Sequence, residues 1–251
     1  MENLFNIFLA GEVVVPTNAT EFTFWIGAMA MGAASVFFLL SLDAGGGKWK
    51  NSMLVSALIT GIAAVHYLYM RDAYAAMGDE GVTAFRYVDW ILTVPLMCVE
   101  FYLILKVAGA TTKHLTNLIL LSLGMLVTGY FGEVGTLGIS AQLWGFLSGA
   151  CYFAIAYMIY FGELGKLAKS AGGAVEKAHK GLTLFVLIGW AIYPIGYMIG
   201  TGDGQWYSFM QAISIDMDVV YNIGDAINKI GFGLVVYSIA VAESNKETAK
   251  S

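Results

Sequence analysis

Seven membrane-crossing helices packed as one all-α bundle are what this sequence predicts, on three observations. The chain of 251 residues is 58% hydrophobic and 12% charged, with a mean hydropathy of +0.70, whereas soluble domains are roughly 45–50% apolar. Its apolar residues form continuous runs long enough to cross a hydrocarbon core of ~30 Å, which takes about 20 helical residues each. Ten of its thirteen Lys and Arg residues fall on one side of a seven-span arrangement.

The spans read at about 22–42, 51–71, 84–106, 114–132, 139–162, 181–200 and 214–242. These runs are too long and too evenly apolar for the short alternating strands of an outer-membrane barrel. Lys48, Lys50, Lys106, Lys113, Lys166, Lys169, Lys177, Lys180, Lys246 and Lys250 share one side; Arg71 and Arg86 lie toward the other, and Lys229 stays in the core. The excess of positive residues marks the cytoplasmic side, so the C-terminus is expected inside and the N-terminus outside. Asp72, Asp79, Glu80, Glu133, Asp203 and Asp216 then fall on the outer side. The expected organisation is an extracellular lead-in over 1–21, a transmembrane domain over 22–242 and a cytoplasmic tail over 243–251. The lead-in has Glu2 and no Lys or Arg ahead of its apolar stretch, unlike an uncleaved secretory signal. The longest connection is GKLAKSAGGAVEKAHK, between spans five and six, and no soluble domain is attached. Cys98 and Cys151 both fall inside spans, which argues against a disulfide framework and a zinc site; no metal is expected.

Charged residues inside spans carry the functional signal, because a lone charge in hydrocarbon costs several kcal/mol and is retained for a reason. Lys229 lies within YNIGDAINKIGFGLVVYSIAVA, with Asp225 four residues earlier on the same helical face. The third span, FRYVDWILTVPLMCVEFYLILK, holds Arg86, Asp89, Thr93 and Glu100. At about 100° per residue Asp89, Thr93 and Glu100 return to nearly one azimuth, and Asp89 and Glu100 lie about 16 Å apart along the axis. In the expected orientation Arg86 is outermost, Asp89 central and Glu100 in the cytoplasmic half, while Asp225 sits slightly outward of Lys229. His66, late in the second span, falls within reach of Asp89. Taken alone, Thr93 reads equally well as a threonine bonded to its own backbone, and His66 as a structural histidine; the four charged residues together do not read that way.

The sixth span holds GWAIYPIGY, where Trp190, Tyr193 and Tyr197 share a face and Pro194 is expected to bend the helix. Trp90 adjoins Asp89, so a flat apolar ligand fits between the third and sixth spans. An intramembrane lysine, two nearby carboxylates and an aromatic slot in seven spans describe a Schiff-base chromophore pocket. The sequence resembles the microbial rhodopsins, specifically the proteorhodopsin-type proton pumps. The resemblance covers nearly the whole chain and rests on FRYVDWILTVPL, EFYLILK, GWAIYPIGY, YNIGDAINKIGFGL and AVHYLYMRD.

That resemblance implies a light-driven outward proton pump with all-trans retinal bound covalently to Lys229 as a protonated Schiff base. It makes Asp89 the primary counterion and proton acceptor, Asp225 the secondary counterion and Glu100 the cytoplasmic donor, held neutral by apolar surroundings. Thr93 fills the middle of the Asp, Thr, Glu triplet, His66 pairs with the acceptor, and Arg86 lies below the counterions. Trp90, Trp144, Trp190, Tyr193, Pro194 and Tyr197 match pocket walls. Met97 stands at the colour-tuning position, where an apolar residue implies green absorption. Gly145, beside Trp144, is where some relatives hold an antenna carotenoid. The resemblance further implies a multi-pass protein of a bacterial inner (plasma) membrane, in contact with lipid and assembled as a pentamer or hexamer, with no nucleic acid and no obligatory protein partner.

A photosensor of the same fold, signalling to a transducer, is the main alternative, and Glu100 argues against it. A chloride pump needs a neutral residue in place of Asp89, and a sodium pump carries Asn and Gln in the third-span pattern. A seven-span ligand receptor without retinal remains open from the residues alone.

Overall fold

The computed structural model describes residues 15–44, 47–201, 206–210 and 212–248. Residues 1–14 of the expected lead-in, Asp203 and Lys250 lie outside the described residues, as do the side chains of Glu80 and Lys246. The described residues contain seven helical stretches long and apolar enough to cross a membrane, all from one all-α bundle.

The first helix, α1 (Ala19–Leu40), starts ahead of the apolar run because its N-terminus is capped. Asn18 accepts the Glu21 N–H at 2.9 Å, which satisfies a free N–H of the first turn, and the Glu21 carboxylate accepts the Thr17 N–H just ahead of the cap at 2.7 Å. Helix α2 (Lys50–Met77) outlasts its apolar segment by more than a turn; there Arg71 and Asp72 pair at 2.8 Å. Helices α3 (Thr83–Leu105), α4 (Thr112–Glu133) and α5 (Ala141–Tyr160) follow the expected spans closely.

The segment expected as a loop between spans five and six is mostly helical. It forms α6 (Glu163–Ala171) and the start of α7 (Gly173–Leu184). Its Ala, Leu, Lys and Glu content is that of a good helix former, and the chain turns only at Gly172 and Gly173, whose φ values of +61° and +57° suit glycine. The sixth span then passes through a π-helical turn, Phe185–Gly189, into α8 (Ile192–Gly200). The irregularity therefore lies upstream of Pro194, which stands in the first turn of α8, where a missing N–H costs little. Side chains from two other helices hold the widened turn. The Tyr152 hydroxyl donates to the carbonyls of Val186 and Leu187 at 3.1 and 3.2 Å, and the Asn228 amide donates to that of Gly189 at 3.0 Å. The last helix, α9 (Met217–Thr248), continues past residue 242 into the expected tail.

Helix α3 shows how the bundle sorts its residues. Arg86, Asp89, Thr93, Met97 and Glu100 are buried, whereas Phe85, Val88 and Leu92 are exposed on the outside. This reverses the soluble pattern: apolar side chains meet lipid, and costly polar groups face the interior, where they find partners.

Candidate functional site

Lys229 is 2% exposed and lies between two carboxylates that are equally enclosed, Asp89 from α3 and Asp225 from its own helix. Its Nζ donates to Asp89 Oδ2 and, at 2.6 Å, to Asp225 Oδ2. The i to i+4 spacing on α9 brings Asp225 alongside; Asp89 arrives because α3 turns its polar face inward.

The two carboxylates differ in their remaining partners. Asp225 Oδ1 accepts the Tyr193 hydroxyl at 2.7 Å and its Oδ2 accepts that of Tyr67 at 3.1 Å. Asp89 Oδ1 has no hydrogen-bond partner. Asp225 is therefore held by two hydroxyls besides the amine, whereas Asp89 keeps one oxygen without a partner. Sequence reasoning assigned Tyr193 to the pocket wall and gave Tyr67 no role, although Tyr67 stands next to His66 in the quoted segment.

His66 approaches Asp89 without bonding to it. Its Nδ1 is 3.8 Å from Asp89 Oδ1, too far for a hydrogen bond, and 3.0 Å from the Ile62 carbonyl one turn back in its own helix. A carbonyl only accepts, so Nδ1 carries the proton and gives it to the backbone. Thr93 likewise bonds its own helix, donating to the Asp89 carbonyl at 2.9 Å, which is the backbone alternative left open above.

Toward the expected outer end, Arg86 donates to Asp218 at 2.6 Å and to Asn222 at 3.5 Å, and its guanidinium lies 5.0 Å from the centre of the Tyr221 ring. Asp218 was not singled out from the sequence, because it lies at the polar start of a span where a carboxylate attracts no notice. Glu100 is at the other end, fully buried. One of its oxygens accepts the Ser56 hydroxyl at 3.2 Å and the other has no partner; among the described residues no cation pairs with it.

A cavity of about 130 Å³ is lined by Tyr87, Trp90, Val94, Trp190, Tyr193, Pro194 and Tyr197, among others; Lys229 is not among its lining residues. Trp90 is packed edge-on against Tyr193 and Tyr221, with ring centres 4.8 and 5.8 Å apart. Tyr193 joins the two halves of the site, since its ring lines the cavity while its hydroxyl holds Asp225. Met97 and Trp144 are buried but are not among the side chains lining the cavity. At Gly145, on the cavity wall, a Cβ would lie 2.6 Å from the Tyr197 ring and 2.7 Å from the Tyr207 hydroxyl, so only glycine fits. An elongated apolar ligand with a carbonyl end suits this arrangement: an amine to condense with, anions to hold the resulting cation, and aromatic walls for the chain.

A model of the bacteriorhodopsin-like protein family matches residues 18–242. The chain is 40% identical over 256 residues to the green-light absorbing proteorhodopsin of Gamma-proteobacterium EBAC31A08, covering 95% of this chain and 98% of that protein. It is 41% identical over 241 residues to the blue-light absorbing proteorhodopsin of Gamma-proteobacterium Hot 75m4, covering 94% and 92%. The crystallographic structure of xanthorhodopsin, described as a light-driven ion pump with dual chromophore, superposes with a TM-score of 0.75 at 31% identity, covering 91% of this chain and 95% of that one. With seven apolar helices, a family match over nearly all of its length and proteorhodopsins as relatives, the chain belongs to the bacteriorhodopsin-like family of multi-pass membrane proteins.

Proposed function

We propose that the chain is a light-driven proton pump that exports protons, with retinal as its chromophore and the Lys229 amine as the attachment point. It is a transporter, not an enzyme. One observation carries the reading: the buried amine sits between Asp89 and Asp225, while a third buried carboxyl, Glu100, stands about 16 Å further along α3. Lys229 would hold retinal, which would supply the absorption of visible light and an isomerisation at that nitrogen.

The residues of the chain do the rest. Asp225, held by the Tyr67 and Tyr193 hydroxyls, stays in place beside Nζ as the second counterion. Asp89 accepts the proton from Nζ on its unpartnered oxygen. Arg86, paired with Asp218, leads outward, toward a cleft lined by Asp79, Glu133, Asp216 and Asp218. Glu100 then gives a proton to Nζ from the opposite side. A carboxyl buried without a cation is costly to ionise, so Glu100 is suited to store a proton between cycles. The buried donor favours a pump over a photosensor. An antenna carotenoid resting on Gly145 has to displace Tyr207. The same reading puts the N-terminus outside and the lysine-rich side in the cytoplasm of a bacterial plasma membrane, with the lead-in over 1–21, the tail from 243 and a homo-oligomer as the assembly.

Illumination of cells expressing the chain in unbuffered medium is expected to acidify the medium, and a protonophore should abolish the change. No pH change, or alkalinisation that the protonophore enhances, rejects proton export. In purified pigment, Glu100→Gln is expected to slow the return of the dark absorption band by at least about 100-fold, within the usual range for a positioned acid or base, with little change in its position. A wild-type recovery rate in flash photolysis would remove Glu100 from the donor role.

A further inference from the structure

We propose that His179 is a second proton-handling group, relaying protons from the cytoplasmic surface to Glu100. The inference rests on the pump reading above, which gives Glu100 a proton to replace in every cycle.

His179 is 4% exposed on α7, in a segment expected to be a loop from the sequence. Its Nε2 lies 2.7 Å from the Ile159 carbonyl of α5. A carbonyl only accepts, so Nε2 carries the hydrogen and Nδ1 presents a bare lone pair. That Nδ1 has no partner, and a buried acceptor left unpaired is costly enough to call for a role or a bridging water. One turn further in, Thr183 is equally buried and its Oγ1 is also without a partner. Thr60, Thr93 and Thr128 each bond the carbonyl four residues back; Thr183 does not, which leaves its hydroxyl free for another group.

The placing of these atoms gives them a direction. Glu176, His179 and Thr183 follow spacings of three and four on one helical face, and Glu176 at the head of the row pairs with the exposed Lys180 at 2.7 Å. Gly181 of α7 packs against Val235 of α9, which is about 9 Å beyond Lys229 along the helix. The row therefore lies in the half of the bundle that holds Glu100. The His179 ring is 5.5 Å from that of Phe101, the residue next to Glu100, and Glu100 itself has one unpartnered oxygen. In the relay, Nδ1 takes a proton from the surface side and the ring becomes imidazolium. The same proton leaves from Nδ1, through the Thr183 hydroxyl and bridging water, to the Glu100 carboxylate. Nε2 keeps its hydrogen on the Ile159 carbonyl throughout, so the ring returns to its starting tautomer with one proton received and one delivered.

His179→Gln tests this, because the glutamine amide can still donate to the Ile159 carbonyl but cannot carry a proton. Flash photolysis is expected to show the return of the dark band slowed by about tenfold or more, below the full effect of a positioned acid because bulk water still reaches the site slowly. The absorption maximum should stay in place, and added imidazole should restore the rate. A wild-type rate overturns the relay, and so does a slow rate that imidazole leaves unchanged, which marks a packing role. A second readout needs no chromophore. In ¹⁵N spectra of retinal-free protein, the signal lost in His179→Gln should be that of a ring protonated at Nε2 and bare at Nδ1; a hydrogen on Nδ1 overturns the proposal. Glu100→Gln separates the two failures: if it does not slow recovery the pump assignment fails, and if it does while His179→Gln does not, only the relay fails.

Discussion

Asp89→Asn is expected to reduce light-driven proton export by at least about 100-fold while leaving a pigment that absorbs at longer wavelength. Both effects follow from one oxygen pair. Asp89 Oδ2 bonds Lys229 Nζ, and Oδ1 has no partner. An amide keeps the size of the side chain and can still accept one hydrogen bond at its carbonyl, but it has no anionic oxygen on which to receive a proton. Loss of a positioned base typically costs 10² to 10⁴ in rate. The colour shift has an electrostatic origin. Two unit charges 4 Å apart interact by about 4 kcal/mol at an effective dielectric constant of 20, so the carboxylate holds positive charge at the nitrogen in the dark state. With retinal bound to Lys229, excitation would move that charge away along the chromophore, and without the carboxylate the move would cost less energy. Asp225 is not interchangeable with Asp89 here, because hydroxyls from Tyr193 and Tyr67 already occupy its oxygens. External pH under illumination and the visible spectrum of the purified variant check the two effects separately. Export at more than a tenth of the wild-type rate would show that Asp89 is not the acceptor.

What the sequence made legible was what periodicity and composition can carry. Seven apolar runs gave seven spans, and Asp89, Thr93 and Glu100 lay on one face because helix geometry alone puts them there. Lys229 and Asp225 needed only an i to i+4 step. Pairings that depend on how one helix is rotated against another stayed hidden. Nothing in the chain says that Tyr67 of α2 meets Asp225 of α9, or that Arg86 meets Asp218. The π turn at Phe185–Gly189 was hidden for the same reason, since it depends on Tyr152 and Asn228 reaching its carbonyls. His179 was missed by a different route. It lies among lysines in a polar stretch read as a loop, and only the continuation of the helix through that stretch turns it inward. The start of α1 is a contrasting case: the Asn18 and Glu21 capping pair was readable, but the apolar run drew the boundary instead.

Lys229→Ala is expected to abolish pigment formation outright and, in retinal-free protein, to destabilise the bundle. The first effect is chemical, since among the described residues no other amine lies in the site: Arg86 is a guanidinium committed to Asp218 and Asn222. The second follows from what the lysine leaves behind. Asp89 and Asp225 are then two buried carboxylates facing each other without the cation that bonds both, and breaking a buried ion pair from one side typically costs 3–5 kcal/mol, about the scale expected here before either acid takes up a proton. The two acids do not contribute equally. Asp225 retains its tyrosine hydroxyls, whereas Asp89 loses its only side-chain hydrogen-bond donor among the described residues, so neutralising Asp89 should recover more than neutralising Asp225. Thermal unfolding of retinal-free protein should therefore rank Lys229→Ala lowest, Lys229→Ala with Asp225→Asn above it and Lys229→Ala with Asp89→Asn highest of the three. The double variants are needed because groups in contact are not additive. A visible band after retinal addition to Lys229→Ala would move the attachment point elsewhere. The reverse order of the two double variants would mean that Asp89 is the better-held anion, and the assignment of acceptor and fixed counterion would have to be exchanged.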